Sequence, residues 1–280
     1  MKVSSQDVGL KLGRILGQFL LKTDHLHYGF WTEGLEVNLD NLPQAQSDYA
    51  DFLMGNIPEG INSILDIGCG VGENASLLLK KGYKVDCVSP SQYLSQVTRE
   101  KVGDKCEIFE STFETVQTDK KYDLMLFSES FQYIKIEKAL DKCAHLLNDG
   151  GYILICDFFK IPAEGARPMG GGHKLAKFFK IMAEKPFTQV KELDITNNAA
   201  PNITLVDNFL QQVVVPIHKI ITEFLHSNYK ITSGIARFIA NLFFKKKLKK
   251  LAYKYLSGER NEANFKKFKT YRLFLYQKNS

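Results

Sequence analysis

The sequence predicts an α/β fold: an open, mostly parallel, seven-stranded sheet with helices on both faces, N-terminal helices, and a helical insertion before the last strand. Three observations predict it. Short strand-like runs recur at 64–67, 83–88, 106–110, 122–127, 152–157, 190–196 and 270–277. Helical patterns, Ala75 to Lys81 and Ile136 to Leu147 among them, stand between those runs. The first run breaks into the glycines of Ile64-Leu-Asp-Ile-Gly-Cys-Gly-Val-Gly-Glu-Asn74 and then into the first of those helices, so it reads as strand, tight turn and helix.

Residues 5 to 22 place Val8, Leu12, Ile15, Leu16, Phe19 and Leu20 at helical spacing, an amphipathic helix. Asp24-His-Leu-His-Tyr-Gly-Phe-Trp31 follows, dense in rings and holding the only tryptophan; composition makes it a buried loop. A second helix is expected over Gln44 to Met54. In the glycine turn each missing Cβ lets the backbone bend sharply and a ligand lie against it. A dinucleotide fingerprint needs Gly-x-Gly-x-x-Gly, and Glu73 stands where its third glycine belongs, so a dinucleotide oxidoreductase is disfavoured. Strand four runs into Ser128-Glu-Ser-Phe-Gln-Tyr133, and strand five ends at Asp157-Phe-Phe159. Open α/β sheets bind ligands at the carboxyl ends of their strands, which makes Glu129, Tyr133 and Asp157 candidate catalytic groups. The Gly- and Pro-rich stretch from Ile161 to His173 reads as a mobile flap or substrate loop, with His173 as a further candidate base or substrate contact or, equally, a histidine starting a helix. No Lys-Ser/Thr follows its glycines, which argues against a nucleotide P-loop. Asn202 to Lys254 is expected to be mostly helical.

Composition bounds the rest. At 280 residues, 44% hydrophobic and 24% charged, the chain has the makeup of an ordinary globular protein of one to one and a half domains. A net charge of +6 does not by itself imply nucleic acid, and no nucleic-acid partner is expected. Cys69, Cys87, Cys106, Cys143 and Cys156 lack paired spacing and read as free thiols of a reducing compartment. With no signal-peptide layout and no uncharged stretch near the ~20 residues of a bilayer span, a cytoplasmic location is expected. The strong charge cluster is Lys245 to Lys250, five lysines in six residues. A solvated helix face is its default reading, with an anionic membrane surface or an acidic substrate as the sharper ones.

The motif hydrophobic-x-Asp-x-Gly-x-Gly-x-Gly at residues 64–72 resembles the first motif of the class I S-adenosylmethionine-dependent methyltransferases, and the resemblance runs from about His25 to Phe159. It implies a Rossmann-like sheet, S-adenosylmethionine as cofactor, and a turn (Gly68, Cys69, Gly70) beneath its methionine part, with Asp66 orienting the turn and the amino group. The aromatic segment before the motif is similar to that of small-molecule enzymes of the tocopherol, sterol and sarcosine type, which makes Tyr28 and Trp31 cavity walls and His27 a polar contact. Where many members carry a ribose-binding acid, this chain has Ser89, as in the sterol and cyclopropane-forming branches, and Gln92 stands beside it as a second ribose contact. Thr112 and Phe113 fall at the adenine positions, although Phe113 also reads as core, and Ser128, at the end of strand four, is a further cofactor-binding candidate. Asp149 replaces the proline of the family's Pro-Gly-Gly turn.

Acids of the catechol-type metal site are missing, so no metal is expected. Missing too is the Asn/Asp-Pro-Pro-aromatic motif of amino-methylating DNA enzymes. The resemblance thus implies methyl transfer to a small acceptor, apolar or isoprenoid and natural-product-like, by in-line displacement. A cofactor-binding protein without transfer activity is the alternative, motivated by Ser89 and Thr112 in place of acids. The chain divides on this reading into an N-terminal cap (1–56), a cofactor-binding core (57–200), a helical lid (201–262) and the returning last strand (263–280). The oligomeric state is not legible.

Overall fold

The computed structural model describes residues 14, 15, 17–21, 23–165, 167–229, 246 and 249–279. Most of the predicted first helix, including Val8, Leu12 and Leu16, and Lys245 and Lys247 of the lysine run lie outside the described residues. The chain falls into two compact units. One takes in Met1–Ile161, Gly171–Ala199 and Lys269–Ser280, and the other Pro162–Gly170 and Ala200–Phe268. The second unit is wider than the insertion expected from sequence, and the described residues of the N-terminal segment belong to the first.

The first unit is built on a mixed sheet in the order β3-β2-β1-β4-β5-β7-β6. Its strands are β1 (Ser63–Ile67), β2 (Lys84–Val88), β3 (Ile108–Phe109), β4 (Tyr122–Ser128), β5 (Leu147–Lys160), β6 (Phe187–Asp194) and β7 (Lys269–Lys278). The first five pair in parallel. Only β7 runs against its neighbours β5 and β6. Strand order reverses between β1 and β4, which opens a crevice at their carboxyl ends.

Helices α1 (Leu42–Met54), α2 (Glu73–Lys80), α3 (Gln92–Val102), α4 (Ile136–Leu146) and α5 (Leu175–Met182) accompany the sheet. In α4 the buried residues Ile136, Ala139, Leu140, Cys143 and Leu146 keep helical spacing and form one apolar stripe. A proline at its start fixes the first turn of α1, and the Ser91 hydroxyl accepts from Leu94 N at the start of α3, 3.4 Å away.

Three strand expectations shift. β3 keeps only two residues, and β6 begins three residues earlier than its sequence pattern suggests. β5 starts at Leu147, so the expected Asn148–Gly151 turn is absorbed as an irregularity opposite Tyr122 to Leu124, eased by Gly150 at φ 72°. In the second unit, α6 (Pro201–Phe209) leads through a wide turn of helix at Leu210–Val214 into α7 (Val215–Asn228), and α8 (Glu262–Phe268) closes the unit.

Candidate active site

The site begins where β1 ends. Gly68 at φ 80°, Gly70 at φ 60° and Gly72 at φ 79° all take the left-handed conformation, which costs other residues about 1–2 kcal/mol. Gly68 N donates to Val88 O at 2.8 Å and Gly72 N to Cys69 O at 2.9 Å, which pins the turn between β1 and β2. The Ser130 hydroxyl, from the loop after β4, donates to Ile67 O. The glycines do different work. A Cβ on Gly68 would stand 2.5 Å from Ser130 Cβ, whereas one on Gly70 would meet only Leu26 Cδ1 at 3.8 Å. Gly68 is therefore required by packing within the protein, and Gly70 leaves open space over the turn. Gly68→Ala is expected to lower the melting temperature well beyond Gly70→Ala, because only the first adds a clash to the left-handed strain; equal losses in thermal unfolding would contradict this.

Asp66 lies near the end of β1, two residues before Gly68, and is 1% exposed. Its Oδ2 is buried without a hydrogen-bond partner. Burial pushes its carboxyl up to about 7. A buried carboxylate oxygen with no donor is costly unless something outside the chain supplies one. An ammonium group fits that need, and the open face at Gly70 fits a chain lying across the turn. The residues present therefore fit the methionine part of S-adenosylmethionine.

The other cofactor candidates divide. Ser89, at the carboxyl end of β2, is buried, and its hydroxyl accepts weakly from Ser91 N at 3.4 Å. Gln92 and Thr112 are exposed, and Thr112 Oγ1 lies 3.2 Å from Thr115 Oγ1. Phe113 is core: its ring packs edge-on against Phe127 at 5.6 Å, which leaves its backbone rather than its face for a ligand. Cys69 is buried in the turn, with its sulfur 3.8 Å from Thr98 Oγ1.

The aromatic segment before the motif is held from α1. Gln46 donates to His25 O and His27 O and accepts from Thr23 Oγ1. His27 lies between the His25 ring and Tyr28 O, against Tyr49, and burial drives its pKa down to about 3, so it stays neutral. Tyr28 lies parallel to Phe158 at 6.4 Å. Trp31 is buried, its backbone bonded on both sides to Asn198 and its indole N–H without a partner.

Glu129 is the one non-glycine among the described residues with a positive φ, 54°. Its carboxylate accepts from Tyr28 N and from Tyr271 Oη, each at 2.8 Å, and both bonds fall on Oε1. Tyr271 also reaches Tyr49 Oη at 3.2 Å, and Tyr49 reaches Ser128 Oγ at 3.1 Å. Burial pushes Glu129 up to about 7 against those two bonds. Tyr49 and Tyr271 are thus members of the site that sequence reasoning missed.

The other three catalytic candidates are differently placed. Asp157 is buried, with Gln132 N on Oδ2 and Gln132 Nε2 and Phe158 N on Oδ1, so both oxygens already brace the loop after β4; burial pushes it up to about 8. His173 Nε2 faces two carbonyls, Phe131 O at 3.1 Å and Ile134 O at 2.9 Å, and so acts as a donor, while burial lowers its pKa. Gly172 N donates to Gln132 Oε1, so the end of the expected mobile flap is tied down. Tyr133 is 61% exposed, and its partial burial with the charges of Asp157 and Glu129 raises its pKa. Among the described residues no group of three His, Cys, Asp or Glu side chains is placed to hold a metal ion.

Known proteins resemble this chain in sequence over part of its length and in fold over most of it. Residues 65–155 match a family described as a methyltransferase domain. Over 107 residues the chain is 33% identical to malonyl-[acyl-carrier protein] O-methyltransferase 2 of Ilyobacter polytropus, covering 36% of this chain and 41% of that enzyme. The chain spans less than half the length of the curated relatives it matches first, 41% and 47%. A protein from Galdieria sulphuraria, described as a putative sarcosine dimethylglycine methyltransferase, superposes with TM-score 0.68 at 16% identity, over 95% of this chain and 98% of that one. Geranyl diphosphate C-methyltransferase of Streptomyces coelicolor A3(2), solved with Mg2+, geranyl-S-thiolodiphosphate and S-adenosyl-L-homocysteine, gives TM-score 0.65 at 15% identity over 94% and 91%. At these identities the structural likeness is one of fold.

Proposed function

From the premise of a methyltransferase domain at residues 65–155 on the class I fold, we propose that the chain transfers a methyl group from S-adenosylmethionine to a small-molecule acceptor. The proposed acceptor is apolar, isoprenoid or natural-product-like, and the proposed displacement is in-line and uses no metal. One observation carries the reading: the buried Asp66 carboxylate with an unpartnered oxygen, on the strand that leads into an open glycine turn. That the fold is shared with a geranyl diphosphate C-methyltransferase supports the acceptor class by analogy.

When bound, S-adenosylmethionine supplies an electrophilic methyl group on a sulfonium. The chain supplies alignment and exclusion of water. In this reading Asp66 holds the amino group, and Gly68, Cys69 and Gly70 bear against the methionine part. Ser89 and Gln92 meet the ribose, Thr112 and the Phe113 backbone meet the adenine, and Tyr28, Trp31 and Ser128 wall the cavity. Glu129 takes the acceptor's proton where one must leave, while Asp157 and His173 position the loop that carries it.

S-adenosylmethionine or its demethylated product, at one hundred times its dissociation constant, is expected to stabilise the protein by about 2.7 kcal/mol, read as a rise in melting temperature that NAD does not give. Label from the cofactor methyl should then appear in small molecules of an extract. No thermal response to either compound would sink the cofactor assignment. A response without labelled product would sink the transfer step alone.

A further inference from the structure

We propose that α7 docks the protein on an anionic membrane surface through the face carrying Ile217, Ile220, Ile221, Phe224 and Leu225. These side chains are 44% to 65% exposed, and no residue of α7 is buried. Their spacing (i, i+3, i+4, i+7, i+8) gathers them into one stripe, with Lys219, Thr222, Glu223 and His226 on the other side. A contiguous apolar patch of this kind on a protein surface marks an interaction site. Fourteen residues give a helix roughly 21 Å long, and no helix among the described residues is long and apolar enough to cross a bilayer. The geometry is that of a helix lying in the interface plane.

Charge selects the partner. Residues 200–268 carry twelve Lys and Arg against four Asp and Glu, while the whole chain carries a net +6, so the rest of the chain is slightly acidic. Lys246, Lys249 and Lys250 are exposed in the same unit. An apolar stripe accompanied by concentrated positive charge suits a surface with an apolar interior and anionic headgroups. A second copy of this chain would instead bring two basic segments together, and a nucleic-acid backbone would leave the stripe with nothing to meet. The inference goes beyond methyl transfer and does not depend on it.

The test is co-sedimentation of the full chain with phosphatidylcholine vesicles, with and without 30% phosphatidylserine. Partition is expected to be at least tenfold stronger with phosphatidylserine and to weaken with salt. The double variant Ile220→Glu, Phe224→Glu should reduce it at least tenfold, and Lys246→Glu, Lys249→Glu, Lys250→Glu should abolish the preference for anionic vesicles. Both variants should keep the wild-type melting temperature and its response to cofactor. The proposal is overturned by equal partition of the wild type onto the two vesicle types, or by partition that the Ile220/Phe224 variant leaves unchanged. A lower melting temperature in that variant, which would mean that the stripe is covered by the chain itself, also overturns it. So does a wild-type dimer that the variant dissolves.

Discussion

Asp66→Asn is expected to fold normally yet bind S-adenosylmethionine about 10- to 100-fold more weakly, since a charge-assisted hydrogen bond contributes roughly 1.5–3 kcal/mol. The fold should survive because asparagine has nearly the same shape and no charge to bury, and the carboxyl it replaces is itself largely protonated below neutral pH. The same group predicts a pH signature. In the free protein burial holds Asp66 up to about 7, so at pH 6 most molecules carry its proton. A bound ammonium favours the carboxylate, so binding expels that proton. Wild-type affinity should therefore weaken about tenfold for each unit of pH below about 7 and level off above it. Calorimetry at pH 6 in buffers of different ionisation enthalpy should record most of one proton released per cofactor. Asp66→Asn should remove both the slope and the proton. Wild-type affinity or undiminished proton release in the variant would refute the role given to Asp66.

What the sequence disclosed and what it withheld follow from how far apart the cooperating residues lie. The β1–turn–α2 unit is local, and the eleven consecutive residues Ile64 to Asn74 specify its strand, its left-handed turn and its helix start, so both the turn and Asp66 were legible. The Glu129 network is not local. Its bonds join Glu129 to Tyr28 across 101 residues and to Tyr271 across 142, and Tyr271 to Tyr49 across 222. Tyr271 reaches the carboxyl edge only because β7 enters antiparallel, opposite Phe158. No spacing rule foretells that register. A similar gap affected Asp157. Its place at the end of β5 was legible, but two of the three donors that occupy its oxygens, the Gln132 N–H and side-chain amide, come from a loop fold that sequence does not reveal; the third is the neighbouring Phe158 N–H. Phe113 is a milder case: sequence leaves it between an adenine contact and a core residue, and Phe127 packed edge-on against it decides for the core.

Glu129→Gln is the substitution that separates chemistry from positioning. Glutamine keeps an oxygen to accept from Tyr28 N and Tyr271 Oη, so the loop, the melting temperature and cofactor affinity should change little. What it removes is the capacity to take a proton. Of the four catalytic candidates, Glu129 alone combines a carboxyl held near 7, a place at the carboxyl edge beside the strand-order reversal, and an oxygen, Oε2, with no hydrogen bond among the described residues. The strained φ of 54° keeps it there through the bond from its own N–H to Cys156 O at 2.9 Å. Turnover of a protonated acceptor should fall by roughly 10²- to 10⁴-fold, the usual contribution of a positioned base. The sign of the pH effect is fixed by the group. Wild-type kcat/KM should rise with pH to a plateau above about 7, where the carboxylate is formed, and the variant should be slow and flat across that range. Asp157→Asn provides the contrast: loss of its brace on Gln132 should lower the melting temperature and disturb the KM for acceptor without moving the pH midpoint. If Glu129→Gln instead turns over at the wild-type rate with the same pH midpoint, Glu129 holds Tyr28 and Tyr271 in place and takes no proton.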